Sequence, residues 1–450
     1  MADGCEPVFH KGQRTTNKGR VSNAYLQCIE DGCRRRQDPR RDGHACAACG
    51  GLLEVLYDSL RLDPEKLRYQ WHQRRLSGEP IDRSGVWRFR ELIPFVEPAH
   101  RIISLSEGST PLVGTRRAGW WAGPVHLTIK HQGNNPTGSF KDLGMTASIT
   151  RADSRGVRMV ACASTGNTSS SMAAYAARAG MKALVFVPYK QISAAKLAQA
   201  LDFGAIVIEV GDTFDEAFRL LREIAPEIGL HLVNSVNPFR IEGQKTIVAE
   251  MMEQRAWRPP DYIVVPGGNL GNASAVGKGL RELKEFGFIE KVPRVVVVQA
   301  AGASPFYKTL ATGSRELIPV ENPRTEATAI RIGTPANWRK ARRVLEWTGG
   351  FCESVTDEEI FEAKKVLAED GVGAEPASVS TIAGVRKLVR AGKIERHADV
   401  VAILTGNQLK DTEYIMRHRA ESEDNAQRLR VEPTLEALRQ ALEKPLAVTA

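Results

Sequence analysis

From about residue 100 onward, short Val/Ile-rich runs alternate with amphipathic stretches. "VRMVACAS" precedes "SSMAAYAARAG", and "KALVFVP" precedes "SAAKLAQALDFGA". "AIVIEV" leads to "FDEAFRLLREIA", and "YIVVP" to "ASAVGKGLRELKEFG", while "RVVVVQA" and "VVAILTG" are two more near-continuous apolar runs. Strands without polar alternation are buried on both faces, which is the pattern of parallel sheets covered by helices. The expected class is α/β, with two such parallel sheets in three-layer units and a ligand crevice at the strand C-termini. Ahead of them, "WHQRRLSGEPIDRSGVWRFRELIP" predicts helix, turn, helix. The stretch after 420, "ESEDNAQRLRVEPTLEALRQALEKPLAVTA", predicts one surface helix. No long internal repeat occurs.

Composition narrows this only a little. The 450 residues are 42% apolar and 26% charged, enough for two or three domains with ordinary cores. No apolar run reaches the length of a membrane span; "VPRVVVVQAAGA" is too short and ends in a turn. The first twenty residues lack the apolar core of a secretory signal, so a cytoplasmic location is the default. The net charge of +9 suits nucleic acid and anionic small molecules equally. One basic run stands out, "CRRRQDPRR" at 33 to 41, but no aromatic-interleaved basic helix accompanies it. Charge does not decide between these partners.

Four of the seven cysteines follow C-x4-C-x12-C-x2-C: Cys28, Cys33, Cys46 and Cys49. Without a secretion signal this spacing reads as metal-binding more than disulfide, and four thiolates suit a structural tetrahedral zinc. Reduced cysteines left from a lost metal site would read the same way. No histidine pair or open-site motif lies nearby to suggest catalytic zinc.

Polar loops at four strand ends carry the candidate chemistry. In "NNPTGSFKDLGM", residues 134 to 145, Pro136 and Gly138 break regular structure. Ser139 reads as an N-cap, with Asp142 completing an S-x-x-D box. Lys141 then falls in the first helical turn, where the macrodipole disfavours a cation; a lowered pKa suits Schiff-base chemistry. A solvated lysine after a turn is the plain alternative. "ASTGNTSSSMAAYAARAG" (163 to 180) leads from a strand into an Ala-rich helix whose free N–H groups would bind a carboxylate, with the Asn167 amide beside them.

"VPGGNLGNASAVGKG" (265 to 279) is strand, glycine turn, helix, the layout of a phosphate cradle. Its spacing matches neither G-x-G-x-x-G nor a G-K-[ST] loop, which favours a small phosphate-bearing cofactor over a dinucleotide or nucleoside triphosphate. Thr405, in "AILTGNQLKD", offers a neutral hydroxyl at a strand end. In "NSVNPFRIEGQK", Asn234, Ser235 and Arg240 are placed to clamp a second anion.

Taken jointly, "NPTGSFKD", "ASTGNTSSS", "SAAKLAQAL", "NSVNPFRIEGQK", "PGGNLGN", "ATAIRIGTPANW", "VTDEEI", "AEPASVST" and "LTGNQLKD" resemble the threonine synthases. That family belongs to the tryptophan-synthase-β-like class (fold type II) of pyridoxal-phosphate enzymes. The stretches run in the family's order from about residue 100 to 412, and "CAACGGLLEVLYD" is similar to its N-terminal region. The resemblance implies an enzyme carrying pyridoxal 5'-phosphate on Lys141, which also shuttles protons. It places Asn167 beside the pyridine 3'-oxygen and Thr405 at the ring nitrogen. Gly268, Asn269, Leu270, Gly271 and Asn272 would hold the cofactor phosphate, and Ser164, Thr165, Thr168, Asn234, Ser235 and Arg240 the substrate. Lys196 matches a family signature and is equally an exposed helical lysine.

The implied organisation is a disordered tail over 1–22, a four-cysteine ribbon-like segment over 23–58 and a large cofactor domain from 59–145 plus 236–420. A small domain over 146–235 and a C-terminal tail or helix over 421–450 complete it. The implied reaction turns O-phospho-L-homoserine and water into L-threonine and phosphate, in a homodimer with no nucleic-acid or membrane partner. Two positions depart from many relatives: Leu270 replaces Ala in G-N-A-G-N, and "TGNQLKD" replaces "TGHGLKD", putting Asn407 where His is common. Within the same fold type, serine/threonine dehydratases and synthases replacing a β-substituent are the nearest alternatives. A metal-bearing nucleic-acid-binding protein is the alternative from another class.

Overall fold

Alternate residues of the strand Tyr262–Pro266 belong to two different cores: Ile263 and Val265 to one, Tyr262 and Val264 to the other. The neighbouring strand Arg294–Ala300 divides in the same way, Val295 and Val297 against Val296 and Val298. A sheet with both faces covered has no polar face to show, which is why these runs are continuously apolar. The computed structural model describes residues 23–39, 45–96, 100–189, 194–212, 214–420 and 431–447. The tail expected over 1–22 lies outside them.

The larger sheet has six strands in the order Phe351–Val355, Arg294–Ala300, Tyr262–Pro266, Asp399–Leu404, His126–His131 and Leu112–Gly114. All its pairs are parallel except the last, where Leu112 faces Lys130 in an antiparallel edge pair. The smaller sheet is wholly parallel: Ile206–Glu209, Lys182–Val187, Met159–Ala163 and His231–Leu232. Near the N-terminus, Arg36–Gln37, Asn23–Cys28 and Leu53–Asp58 form a three-stranded antiparallel sheet. Leu26, Leu53 and Val55 of this ribbon are buried in the same core as one face of the six-stranded sheet.

Two expectations need correction. The stretch from 71 to 94 does not make helix, turn, helix: helix Pro64–Leu76 is followed by one turn, Pro80–Arg83, and a 3-10 segment, Trp87–Leu92. Gly85 between them abuts another backbone, where an added Cβ would stand 2.2 Å from the Ser109 nitrogen, so the chain is pinned and does not continue as a helix. The second correction concerns strands the apolar pattern missed. His126–His131 and Phe351–Val355 carry polar residues, and sheet position, not composition, makes them strands. In the C-terminal stretch the helix runs Leu435–Ala447. Among the described residues, no helix is long and apolar enough to cross a membrane.

Candidate active site

Lys141 is the first residue of helix Lys141–Ser154, and Arg240 sits on helix Pro238–Gln244. Two glycines let these helices touch backbone to backbone. A Cβ on Gly243 would lie 1.9 Å from the Leu143 carbonyl oxygen, and one on Gly144 would lie 3.0 Å from that of Arg240. The loop before Lys141 is stitched to the loop after strand Asp399–Leu404: Phe140 N–H donates to Thr405 O at 2.9 Å, and Asn407 N–H to Gly138 O at 2.8 Å. Gly138 takes a φ of +82°, which this tight turn requires.

The capping box does not form. The N-cap position is Phe140, without a side-chain cap, and the Ser139 hydroxyl reaches only Lys141 N–H at 3.4 Å. Asp142 turns back instead, accepting from Thr137 N–H at 2.7 Å, Thr137 Oγ1 at 2.6 Å and Ser171 Oγ at 2.5 Å. It therefore braces the loop that presents Lys141.

The Lys141 amine is brought down to about 7, chiefly because burial penalises its charged form. The Arg240 guanidinium pushes the same way, and the Glu375 carboxylate opposes both. The helix macrodipole expected from the sequence is not the leading cause. Its amine lies 4.1 Å from the centroid of the Phe140 ring.

One cleft of about 540 Å³, part of it open to solvent, gathers Lys141, Ser235, Arg240, Gly268, Asn269, Leu270, Gly271, Asn272 and Thr405. The glycine turn is held tightly. Gly267 N–H donates to Val298 O at 2.7 Å, and Asn269 Oδ1 accepts from Ala336 N–H at 2.8 Å. A Cβ on Gly268 would stand 3.1 Å from the Ala329 carbonyl oxygen, so only glycine sits there without displacing its neighbour. Leu270 takes a left-handed φ of +61° as it opens helix Gly271–Glu285, and its side chain is buried in the core. The replacement of Ala by Leu thus anchors the turn from below.

The donor set fits a phosphate-bearing cofactor. Arg240 Nε and Asn272 Nδ2 are buried without hydrogen-bond partners. Such groups are costly unless an acceptor arrives. Arg240 Nη1 donates to Val233 O at 3.0 Å, and among the described residues no carboxylate is paired with its guanidinium. Burial brings Arg240 down to about 10, so it stays a cation at neutral pH.

Other expected residues stand apart from the lining of this cleft. The Asn167 amide donates to both oxygens of Glu375, at 3.2 and 3.0 Å. Ser164, Thr165 and Thr168 are half-buried around the start of helix Asn167–Ala179, where the Ser164 hydroxyl accepts from Gly166 N–H at 3.3 Å. The Asn234 amide bonds the Ala163 backbone, donating to the carbonyl at 2.9 Å and accepting from the N–H at 3.2 Å. It ties the end of strand Met159–Ala163 in place. The Lys196 side chain lies outside the described residues.

Sequence reasoning missed two partners. Glu375 is a buried carboxylate ahead of helix Pro376–Arg390, its pKa raised by burial. Ser378 Oγ lies 2.9 Å from Thr405 Oγ1 and accepts N–H bonds from Thr405 at 2.9 Å and Gly406 at 2.8 Å. Both lie in "AEPASVST", where a Glu-Pro pair opening a helix was the only local signal. Asn407 accepts from Leu409 N–H at 2.9 Å and donates to Gly133 O at 3.3 Å, a structural task. Outside the lining of the cleft, the sulfurs of Cys28, Cys33, Cys46 and Cys49 all lie within 4.8 Å of one another.

Residues 103–406 match the family described as "Pyridoxal-phosphate dependent enzyme". The chain is 44% identical over 392 residues to a threonine synthase of Methanocaldococcus jannaschii, spanning 87% of this chain and 94% of that protein. It is 43% identical over 396 residues to a threonine synthase of Methanosarcina acetivorans, spanning 87% and 93%. Among solved structures, a fungal L-serine ammonia-lyase from Rhizomucor miehei superposes with a TM-score of 0.60 at 21% identity, covering 71% of this chain and 99% of that one. At that identity the likeness speaks for the fold alone.

Proposed function

This chain belongs to the threonine synthase family of pyridoxal-phosphate dependent enzymes, and we propose that it converts O-phospho-L-homoserine and water to L-threonine and inorganic phosphate. The observation that carries the substrate is Arg240: a buried guanidinium with no carboxylate paired to it among the described residues, lining the same cleft as Lys141. A phosphate cradle at Gly268 to Asn272 accounts for one anion. A second, cationic anchor beside it suits a substrate that brings a phosphate of its own.

When bound, pyridoxal phosphate supplies an electron sink conjugated to the substrate's amino group. The chain's part is to hold and to move protons. In this reading the turn Gly268 to Asn272 receives the cofactor phosphate, Asn167 faces the 3'-oxygen and the Thr405 hydroxyl faces the ring nitrogen. Ser378 fixes that hydroxyl from behind. A neutral hydroxyl stabilises an unprotonated nitrogen. Lys141, with a pKa of about 7, is poised to accept the α-proton at Nζ and to give a proton back at neutral pH. A β-proton is lost as phosphate departs from the γ-carbon with the electron pair of the C–O bond. The γ-carbon then takes up a proton to become the methyl group, water adds its hydroxyl at the β-carbon, and the α-carbon is reprotonated. Arg240 and Ser235 grip the phosphate at the end of the substrate remote from the α-carbon, so binding energy orients each proton transfer. Ser164, Thr165 and Thr168 surround the substrate carboxylate in the same reading, with Asn234 positioning Ala163 beside them. A cytoplasmic homodimer completes the proposal, supported by family membership.

The test is turnover. Phosphate release with threonine formation from phosphohomoserine should far exceed 2-oxo acid formation from serine or threonine. Borohydride reduction followed by peptide mapping should find the cofactor on Lys141. A dominant dehydratase activity, or an adduct elsewhere, overturns the reading.

A further inference from the structure

Tyr57, on the ribbon strand Leu53–Asp58, donates its hydroxyl hydrogen to Glu242 Oε2 at 2.5 Å. Glu242 is fully buried and also accepts from Lys245 at 2.6 Å and from Lys278. It lies two residues after Arg240 on helix Pro238–Gln244. Two helical positions are about 200° apart around the axis. The helix therefore turns Arg240 to the cleft and Glu242 to the ribbon. Lys278 further donates to Val55 O, and Lys340 to Leu53 O at 2.7 Å, so the ribbon strand is pinned along its length.

The far end of that strand is closed by the four cysteines. Cys28 Sγ and Cys49 Sγ are 3.5 Å apart, and Cys33 Sγ and Cys46 Sγ 3.6 Å, too far for disulfides and near the ~3.8 Å edge of a tetrahedron with Zn–S bonds of about 2.3 Å. Glu30 N–H points to Cys28 Sγ at 3.5 Å, a contact that favours a thiolate. Gly51 leaves room at the cluster, since a Cβ there would stand 3.1 Å from Cys28 Sγ and 3.3 Å from Cys49 Sγ. A ribbon of this size has too little core to hold its own shape.

We propose that Cys28, Cys33, Cys46 and Cys49 bind one zinc ion, and that the metal-loaded ribbon positions Arg240 through the Tyr57–Glu242 contact, setting the affinity of the cleft for phosphate. Binding displaces the thiol protons to solvent; no electron transfer is involved. Tyr57 and Glu242 are positioning residues here. The inference rests on the reading of Arg240 as the anion anchor.

The experiment uses the holoenzyme and inorganic phosphate as the probe. Elemental analysis should find about one zinc per chain. Removal with a chelator under reducing conditions should weaken phosphate binding, read by calorimetry, about tenfold and raise the KM for phosphohomoserine in step. The kcat should stay within about twofold, and added zinc should restore affinity. Tyr57→Phe should keep its zinc but lose about fivefold in phosphate affinity. Zinc removal from that variant should then cost clearly less than it does in the parent, because the two changes share the Tyr57–Glu242 contact and only the bridge through Lys278 remains. Absence of stoichiometric zinc overturns the site. Unchanged phosphate affinity after zinc removal, or after Tyr57→Phe, overturns the coupling even where melting temperature falls. Zinc content and phosphate affinity are read without turnover, so a mistaken substrate leaves them standing.

Discussion

The amide of Asn167 rests on the carboxylate of Glu375, 3.0 Å from Oε2, joining a helix start of the smaller sheet to one beside the larger sheet. That carboxylate is also the group that favours the charged form of Lys141, against burial and Arg240. Two substitutions should then move the lysine in opposite directions. In cofactor-free protein, Glu375→Gln removes the favourable charge, so the amine deprotonates at lower pH than its value of about 7. Arg240→Met removes the repulsion, so it deprotonates at higher pH. The check is the pH dependence of Lys141 acylation, because only the neutral amine reacts. An unchanged pH dependence in both variants would mean that burial alone sets the amine.

Arg240 carries a second prediction, in which stability and function part. A buried guanidinium without a carboxylate costs the ligand-free protein, so Arg240→Met should stabilise that form by about 1–3 kcal/mol in urea unfolding. The same change should lower kcat/KM for phosphohomoserine about 100-fold or more and, in protein whose cofactor already fills the Gly268 to Asn272 turn, abolish stabilisation by added phosphate. A destabilised variant would show that the bond to Val233 O outweighs the burial of the charge.

Much of this architecture was legible because its strands are dry on both sides: "YIVVP" and "VVAILTG" are the centre of the six-stranded sheet, with "RVVVVQA" beside them. The cysteine spacing likewise announced a cluster that folds together. The polar details were harder to read. S-x-x-D at Ser139 suggested a cap, but the preceding residues have their own unmet donors, and Thr137 takes the carboxylate first. Glu375 and Ser378 act on residues far away in sequence, so no local spacing betrays them. The pKa of Lys141 was expected from a helix end and is set mainly by burial, which only the folded chain defines.

The close crossing of the two cation-bearing helices depends on a missing side chain. Gly243→Ala would drive a methyl into the Leu143 carbonyl, 1.9 Å away. Neither backbone can yield without moving Arg240 relative to Lys141, so we expect a loss of about 3 kcal/mol or more and a sharp fall in phosphate affinity. Gly271→Ala is the control: its nearest neighbour would be the Asn337 Nδ2 at 3.7 Å, so thermal unfolding should stay within about 1 kcal/mol of the parent.

Asp142 offers a prediction whose sign depends on pH. Burial pushes its carboxyl up to about 6, against an ordinary value of 3.8. A carboxylic acid whose folded value is raised contributes stability that is fully present below the unfolded value and is lost as pH rises through the folded one. Asp142→Asn keeps the shape but puts an amide hydrogen against the Thr137 N–H, leaving one donor unmet at a cost of about 1–3 kcal/mol. The deficit of the variant relative to the parent should therefore be larger near pH 4 than above pH 7, as measured by urea unfolding across that range. A deficit that grows with pH would mean that the bonds from Thr137 and Ser171 outweigh burial, and that the loop presenting Lys141 is braced by the ionised acid.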